Sequence, residues 1–112
     1  MAWRKTGVAA VTLSPGTLRE VTIDAATILL ARIGSNIYAL DGICTHEGGV
    51  LSEGTLNGES VVCPLHGATY ALKDGRVLAD PDGIVPPAGG AAPLKTFPTK
   101  TIDGMIQLDL PD

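Results

Sequence analysis

Two short groups of side chains in this chain are able to bind metal: Cys44-Thr45-His46, and then Cys63-Pro64-Leu65-His66. Sixteen residues separate His46 from Cys63, and the 112-residue chain holds only two cysteines and two histidines. A thiolate is a soft ligand and an imidazole a borderline one, so each group offers one sulfur and one nitrogen. Glycines follow both groups, as Gly48-Gly49 and Gly67, and suit loops that close tightly around an inorganic centre. A single tetrahedral zinc is one reading. Zinc modules usually group ligands of one type, whereas here each group is mixed. The mixture fits a two-iron cluster with thiolates on one iron and imidazoles on the other. A Cys44–Cys63 disulfide is a third reading; it leaves the histidine spacing unexplained and a reducing compartment disfavours it.

Other chemistry finds little support. With both histidines committed to metal, no Ser-His-Asp set can be assembled. No histidine is left for a mononuclear iron oxygenase site either. Twelve acids stand against eight Lys and Arg, a formal charge of -4, which argues against a nucleic-acid partner. No apolar run is long enough for a membrane helix or a signal segment, so a cytoplasmic protein with no membrane partner is expected.

Elements that must hold these groups read as short strands. Fourteen glycines and eight prolines punctuate the chain. Between them lie brief runs of Val, Ile, Leu and Thr at 7–11, 18–23, 27–33, 36–40, 60–62, 69–71, 76–79, 94–99 and 105–110. Gly34-Ser35-Asn36, Asp74-Gly75 and Asp103-Gly104 predict hairpin turns. The expectation is an all-β domain of small antiparallel sheets, with the ligand groups on two opposed loops. An extended backbone across Cys44-Thr45-His46 would place both ligands on one side. Residues 80–93, rich in Pro and Gly, predict a long loop. Asp41, Glu47 and Glu53 read as solvated acids, Trp3 as an anchor of the first strand, Phe97 as core, and Thr45 and Ser52 as makers of loop hydrogen bonds.

Cys-Thr-His-Glu-Gly-Gly, sixteen residues between ligand groups, and then Cys-Pro-Leu-His-Gly-Ala-Thr-Tyr resemble the Rieske [2Fe–2S] family. Its motif is Cys-x-His, a spacer of about this length, and Cys-x2-His. Ile37-Tyr38-Ala39-Leu40, Leu51-Ser52-Glu53-Gly54, Asp74-Gly75-Arg76-Val77 and Leu94-Lys95-Thr96-Phe97 resemble its flanking segments. The likeness runs from about residue 3 to residue 108. It implies one Rieske-like domain over 1–112, a cluster-binding region of two loops at about 41–72, and one [2Fe–2S] cluster. Cys44 and Cys63 would hold the buried iron, and His46 and His66 the outer one.

The resemblance also separates branches. The membrane-complex branch carries a disulfide whose positions here are Gly49 and Leu65, and a serine where this chain has Ala68. Tyr70 keeps that branch's tyrosine, where soluble ferredoxins often have phenylalanine. A Tyr70 hydroxyl reaching Cys63 or Cys44 sulfur would raise the reduction potential, and the missing hydroxyl at Ala68 would lower it. Outer histidines that lose a proton on oxidation imply a potential falling as pH rises. Pro64 would stiffen its loop, and Leu51, Pro64 and Leu65 would form a dry rim.

The implied function is a soluble one-electron carrier, monomeric in isolation. A flavin-dependent or other reductase would be its donor, and an oxygenase of the ring-hydroxylating dioxygenase type its acceptor. The resemblance also admits the small subunit of a larger redox enzyme such as assimilatory nitrite reductase. A structural zinc module is the reading that involves no electron transfer.

Overall fold

The computed structural model describes residues 2–45, 48–65, 67–79 and 92–110. His46, Glu47, His66 and most of the 80–93 stretch lie outside the described residues. Eleven strands form three antiparallel sheets among the described residues. The first sheet joins β1 (Ala2–Ala9), β11 (Met105–Leu110) and β10 (Thr99–Ile102), with β11 in the middle. The second runs β2 (Thr17–Ile23), β3 (Ala26–Ile33), β4 (Asn36–Asp41), β9 (Thr96–Phe97). The third is a meander of β5 (Thr55–Asn57), β6 (Ser60–Val62), β7 (Thr69–Ala71) and β8 (Val77–Ala79).

β4 and β9 are neighbours in one sheet, with Leu40 opposite Thr96. Everything between them, the third sheet included, is therefore one excursion from the second sheet. Asp41 closes its neck. Its N–H donates to the Lys95 carbonyl at 2.9 Å, and its Oδ2 accepts from Lys95 N–H at 3.0 Å. Asp41 is thus a bracket between two chain segments rather than a solvated acid.

β3 explains how the layers stack. Ile28, Leu29, Leu30 and Ala31 are all buried, although an antiparallel strand commonly shows one wet face. Leu29 and Ala31 face a core shared with the third sheet, while Ile28 and Leu30 face a core completed by Ile106, Leu108 and Leu110 of β11. Alternation still operates, but both faces are covered.

Several boundaries differ from expectation. The first strand begins at Ala2 and ends at Ala9, where a 3-10 turn over Ala10–Thr12 takes over. Its register shifts between Lys5 and Ala9, with Gly7 at φ +75°, a bulge geometry that needs glycine. The expected strand 94–99 is two strands in two sheets, split at Pro98, which has no N–H for a ladder. β5 had too short a run to read. The turn between β2 and β3 is Asp24-Ala25, with φ of +49° and +68°, where Ala gives no signal. Asp103-Gly104 does form the expected two-residue turn, at φ +51° and +80°. Trp3 is 42% exposed, with Lys100 Nζ 4.1 Å from its ring centre. Phe97 is half-buried at the edge of the core.

Candidate metal centre

Two loops within the excursion carry the cysteines, and they close in the same way. In the first, Cys44 N–H donates to the Gly49 carbonyl at 2.8 Å and Gly48 N–H to the Cys44 carbonyl at 3.1 Å. In the second, Cys63 N–H donates to the Ala68 carbonyl at 2.8 Å and Gly67 N–H to the Cys63 carbonyl at 3.2 Å. Each loop thus turns back at the fourth residue after its cysteine, where Gly48 has φ +72° and Gly67 φ +79°. That left-handed conformation is easy only for glycine. The repeated pattern means that both cysteines start equivalent turns. The sequence suggests an extended backbone across Cys44-Thr45-His46, of which His46 lies outside the described residues. Thr45 lies in a turn, because the Gly48-to-Cys44 hydrogen bond pulls the chain round.

The loops are in contact. A Cβ on Gly49 would stand 2.8 Å from Cys63 Sγ and 3.2 Å from the Leu65 side chain. Positions 49 and 65, which the resemblance had paired, do adjoin each other. Cys44 and Cys63 are both buried, in the same apolar cluster as Leu51, Val61, Ala68, Tyr70, Leu72 and Leu94. Leu51 is fully buried, so it belongs to the floor of the site and not to a rim. Leu65, at 53% exposure, and Pro64 lie on the outside. His46, His66 and Glu47 lie outside the described residues.

Tyr70, on β7, is fully buried, and its Oη lies 3.2 Å from Cys44 Sγ and 2.9 Å from Thr45 Oγ1. Burial above all, and then the Cys44 contact, push its hydroxyl from 10.0 up to about 12. Tyr70 therefore keeps its proton at neutral pH and can donate it. Thr45 also bridges to the return of the 80–93 stretch. Its hydroxyl donates to the Ala92 carbonyl at 2.7 Å and accepts the Ala92 N–H at 2.9 Å. Leu94 then seats on Gly75, its N–H donating to the Gly75 carbonyl at 2.9 Å. Sequence reasoning foresaw hydrogen bonding by Thr45 but not the partner, 47 residues away.

The donor set fits a cluster held by thiolates. Both sulfurs are shielded, glycine leaves the space beside Cys63 Sγ, and a protonated hydroxyl faces Cys44 Sγ.

Comparison with known proteins bears on this site directly. The family profile described as "Rieske [2Fe-2S] domain" matches residues 5–98. Ferredoxin CarAc of Metapseudomonas resinovorans is 39% identical over 99 residues, covering 88% of this chain and 85% of the relative. The 3-phenylpropionate/cinnamic acid dioxygenase ferredoxin subunit of Shigella flexneri is 35% identical over 92 residues, covering 80% and 79%. Among solved structures, a complex of reduced oxygenase and oxidised ferredoxin in carbazole 1,9a-dioxygenase matches with a TM-score of 0.80. It is 32% identical, covering 95% of this chain and 91% of the matched one.

Proposed function

The chain belongs to the Rieske [2Fe–2S] family, and from that premise we propose that it is the ferredoxin component of a ring-hydroxylating dioxygenase system. It carries one [2Fe–2S] cluster and is an electron carrier rather than the catalyst, as its curated relatives are ferredoxins of dioxygenase systems. Its donor is a reductase, flavin-dependent in the simplest case, and its acceptor is the terminal oxygenase. The single observation that carries the reading is the pair of buried cysteines at the start of two matching, mutually packed loops.

Cys44 and Cys63 hold one iron in this reading, and His46 and His66 the other. When bound, the cluster supplies reversible one-electron chemistry. The chain's own residues do the rest. Leu51, Val61 and Leu94 keep water from the sulfurs. Tyr70 presents its proton to Cys44 Sγ, which favours the more negative, reduced state. Ala68 offers no second hydroxyl, so the midpoint falls in the lower half of the family's roughly -150 to +300 mV range. Exposed Ile43, Pro64 and Leu65 give the loop end an apolar surface for docking. The chain is one domain over 1–112 with its cluster-binding region at about 41–72.

No helix among the described residues is long and apolar enough to cross a membrane. Thiols serving as ligands suit a reducing compartment, and the proposed setting is the cytoplasm, with the carrier a monomer between encounters. The test is a potentiometric titration of the purified protein followed by electron paramagnetic resonance. A reduced [2Fe–2S] signal with mixed nitrogen and sulfur ligation is expected. A silent, colourless protein with one bound zinc would overturn the reading.

A further inference from the structure

A hydroxyl carries one proton, so Thr45 and Tyr70 together have two to donate. Three contacts call on them: Tyr70 Oη to Cys44 Sγ at 3.2 Å, Tyr70 Oη to Thr45 Oγ1 at 2.9 Å, and Thr45 Oγ1 to the Ala92 carbonyl at 2.7 Å. The Ala92 N–H also donates to Thr45 Oγ1, and so supplies no hydroxyl proton. One of the three contacts must always go without. The shortest is Thr45 to Ala92. While it is made, Thr45 has nothing to give Tyr70, and the Tyr70 proton is divided between Thr45 Oγ1 and Cys44 Sγ. Once Ala92 withdraws, Thr45 can donate to Tyr70 Oη, which commits the Tyr70 proton to sulfur.

We propose that Thr45 is a positioning residue that meters the hydrogen bond on Cys44 sulfur according to whether the Ala92 backbone is docked against it. The inference rests on the reading that Cys44 is a cluster ligand. Thr45 and Ala92 are both exposed, so a redox partner seated on this face reaches their contact. Docked, Ala92 holds the potential down; released, it lets the potential rise, because a hydrogen bond to sulfur favours the reduced state. The coupling is reciprocal. Reduction makes the sulfur a better acceptor, draws the Tyr70 proton to it, and turns the Thr45 proton away from Ala92.

Thr45→Val removes both the donor and the acceptor, Thr45→Ser keeps them, and Tyr70→Phe removes the contested proton. Midpoints of the wild type, these variants and Thr45→Val/Tyr70→Phe are compared by potentiometry with paramagnetic resonance. Thr45→Val is expected to raise the midpoint when Tyr70 is present and to leave it unchanged when Phe replaces Tyr70. Thr45→Ser is expected to match the wild type. Hydrogen exchange supplies a second readout: the Ala92 amide should exchange faster in reduced than in oxidised protein, and Tyr70→Phe should abolish the difference. A fall in midpoint, or an equal shift in both backgrounds, would overturn the proposal, the latter meaning that Thr45 acts only by keeping water out. Equal Ala92 exchange in the two redox states would overturn the coupling. These failures with a normal [2Fe–2S] signal remove this inference alone; absence of the signal from the wild type removes the ligand assignment with it.

Discussion

Gly49 and Cys63 belong to different loops, yet the Cβ that Gly49 lacks would stand 2.8 Å from Cys63 Sγ. Real Cβ atoms do not approach so closely, so the first loop can lie over the second cysteine only with glycine here. Gly48, its neighbour, is glycine for a different reason: its φ is +72°, and among the described residues nothing would lie within 4 Å of a Cβ there.

Those two glycines should therefore respond differently to alanine. Gly48→Ala strains the backbone by about 1–2 kcal/mol and should leave the iron content nearly unchanged. Gly49→Ala forces overpacking of about 1–3 kcal/mol against a sulfur that cannot move once it holds metal. Iron and sulfide per chain should fall sharply in Gly49→Ala only. Equal losses in the two variants would mean that loop conformation, not contact with Cys63, limits cluster binding.

Tyr70→Phe keeps the buried ring and deletes the hydroxyl facing Cys44 Sγ. The midpoint should drop while the cluster is retained. If the hydrogen bond is about 1 kcal/mol stronger in the reduced state, the drop is roughly 40 mV for one electron. An unchanged midpoint would show that the Tyr70 proton goes wholly to Thr45.

Alkaline unfolding should also report on Tyr70. Its folded value is about 12 against 10.0 for the unconstrained phenol. Below pH 10 both states are protonated and the contribution is fully present. Between 10 and 12 the unfolded chain gives up its proton and the folded chain keeps it, so stability falls as pH rises. Thermal unfolding across this window should fall more steeply for the wild type than for Tyr70→Phe. Parallel slopes would refute the assignment.

The two faces of β3 predict separable effects. Leu29 and Leu30 are both fully buried, but Leu29 lies in the core that contains Cys44 and Cys63 and Leu30 in the other. Alanine at either should cost about 2–5 kcal/mol. Leu29→Ala should also disturb the spectrum and midpoint of the cluster, whereas Leu30→Ala should lower stability alone. A spectral change in Leu30→Ala of similar size would mean that the two cores are coupled.

Residue types and short spacings indicate the chemistry and much of the local geometry. Two Cys/His groups with glycines behind them point to mixed sulfur and nitrogen ligation on tight loops, because side-chain donors and backbone freedom are properties of single residues. Asp103-Gly104 and Gly34-Ser35 specify hairpins for the same reason. Whatever depends on residues far apart follows only from how the chain packs. The run at 28–31 does not say that both its faces are covered, since burial on the second face needs β11, which lies beyond residue 104. Thr45 reads as a polar loop residue until Ala92 is brought against it, and Asp41 as a solvated acid until Lys95 returns beside it. Gly49 reads only as one glycine of a tight loop until Cys63 occupies the space its Cβ would need. Local sequence encodes turns and strand tendency, whereas contact across the chain follows from how the sheets stack, and the environment of the two sulfurs is set at that level.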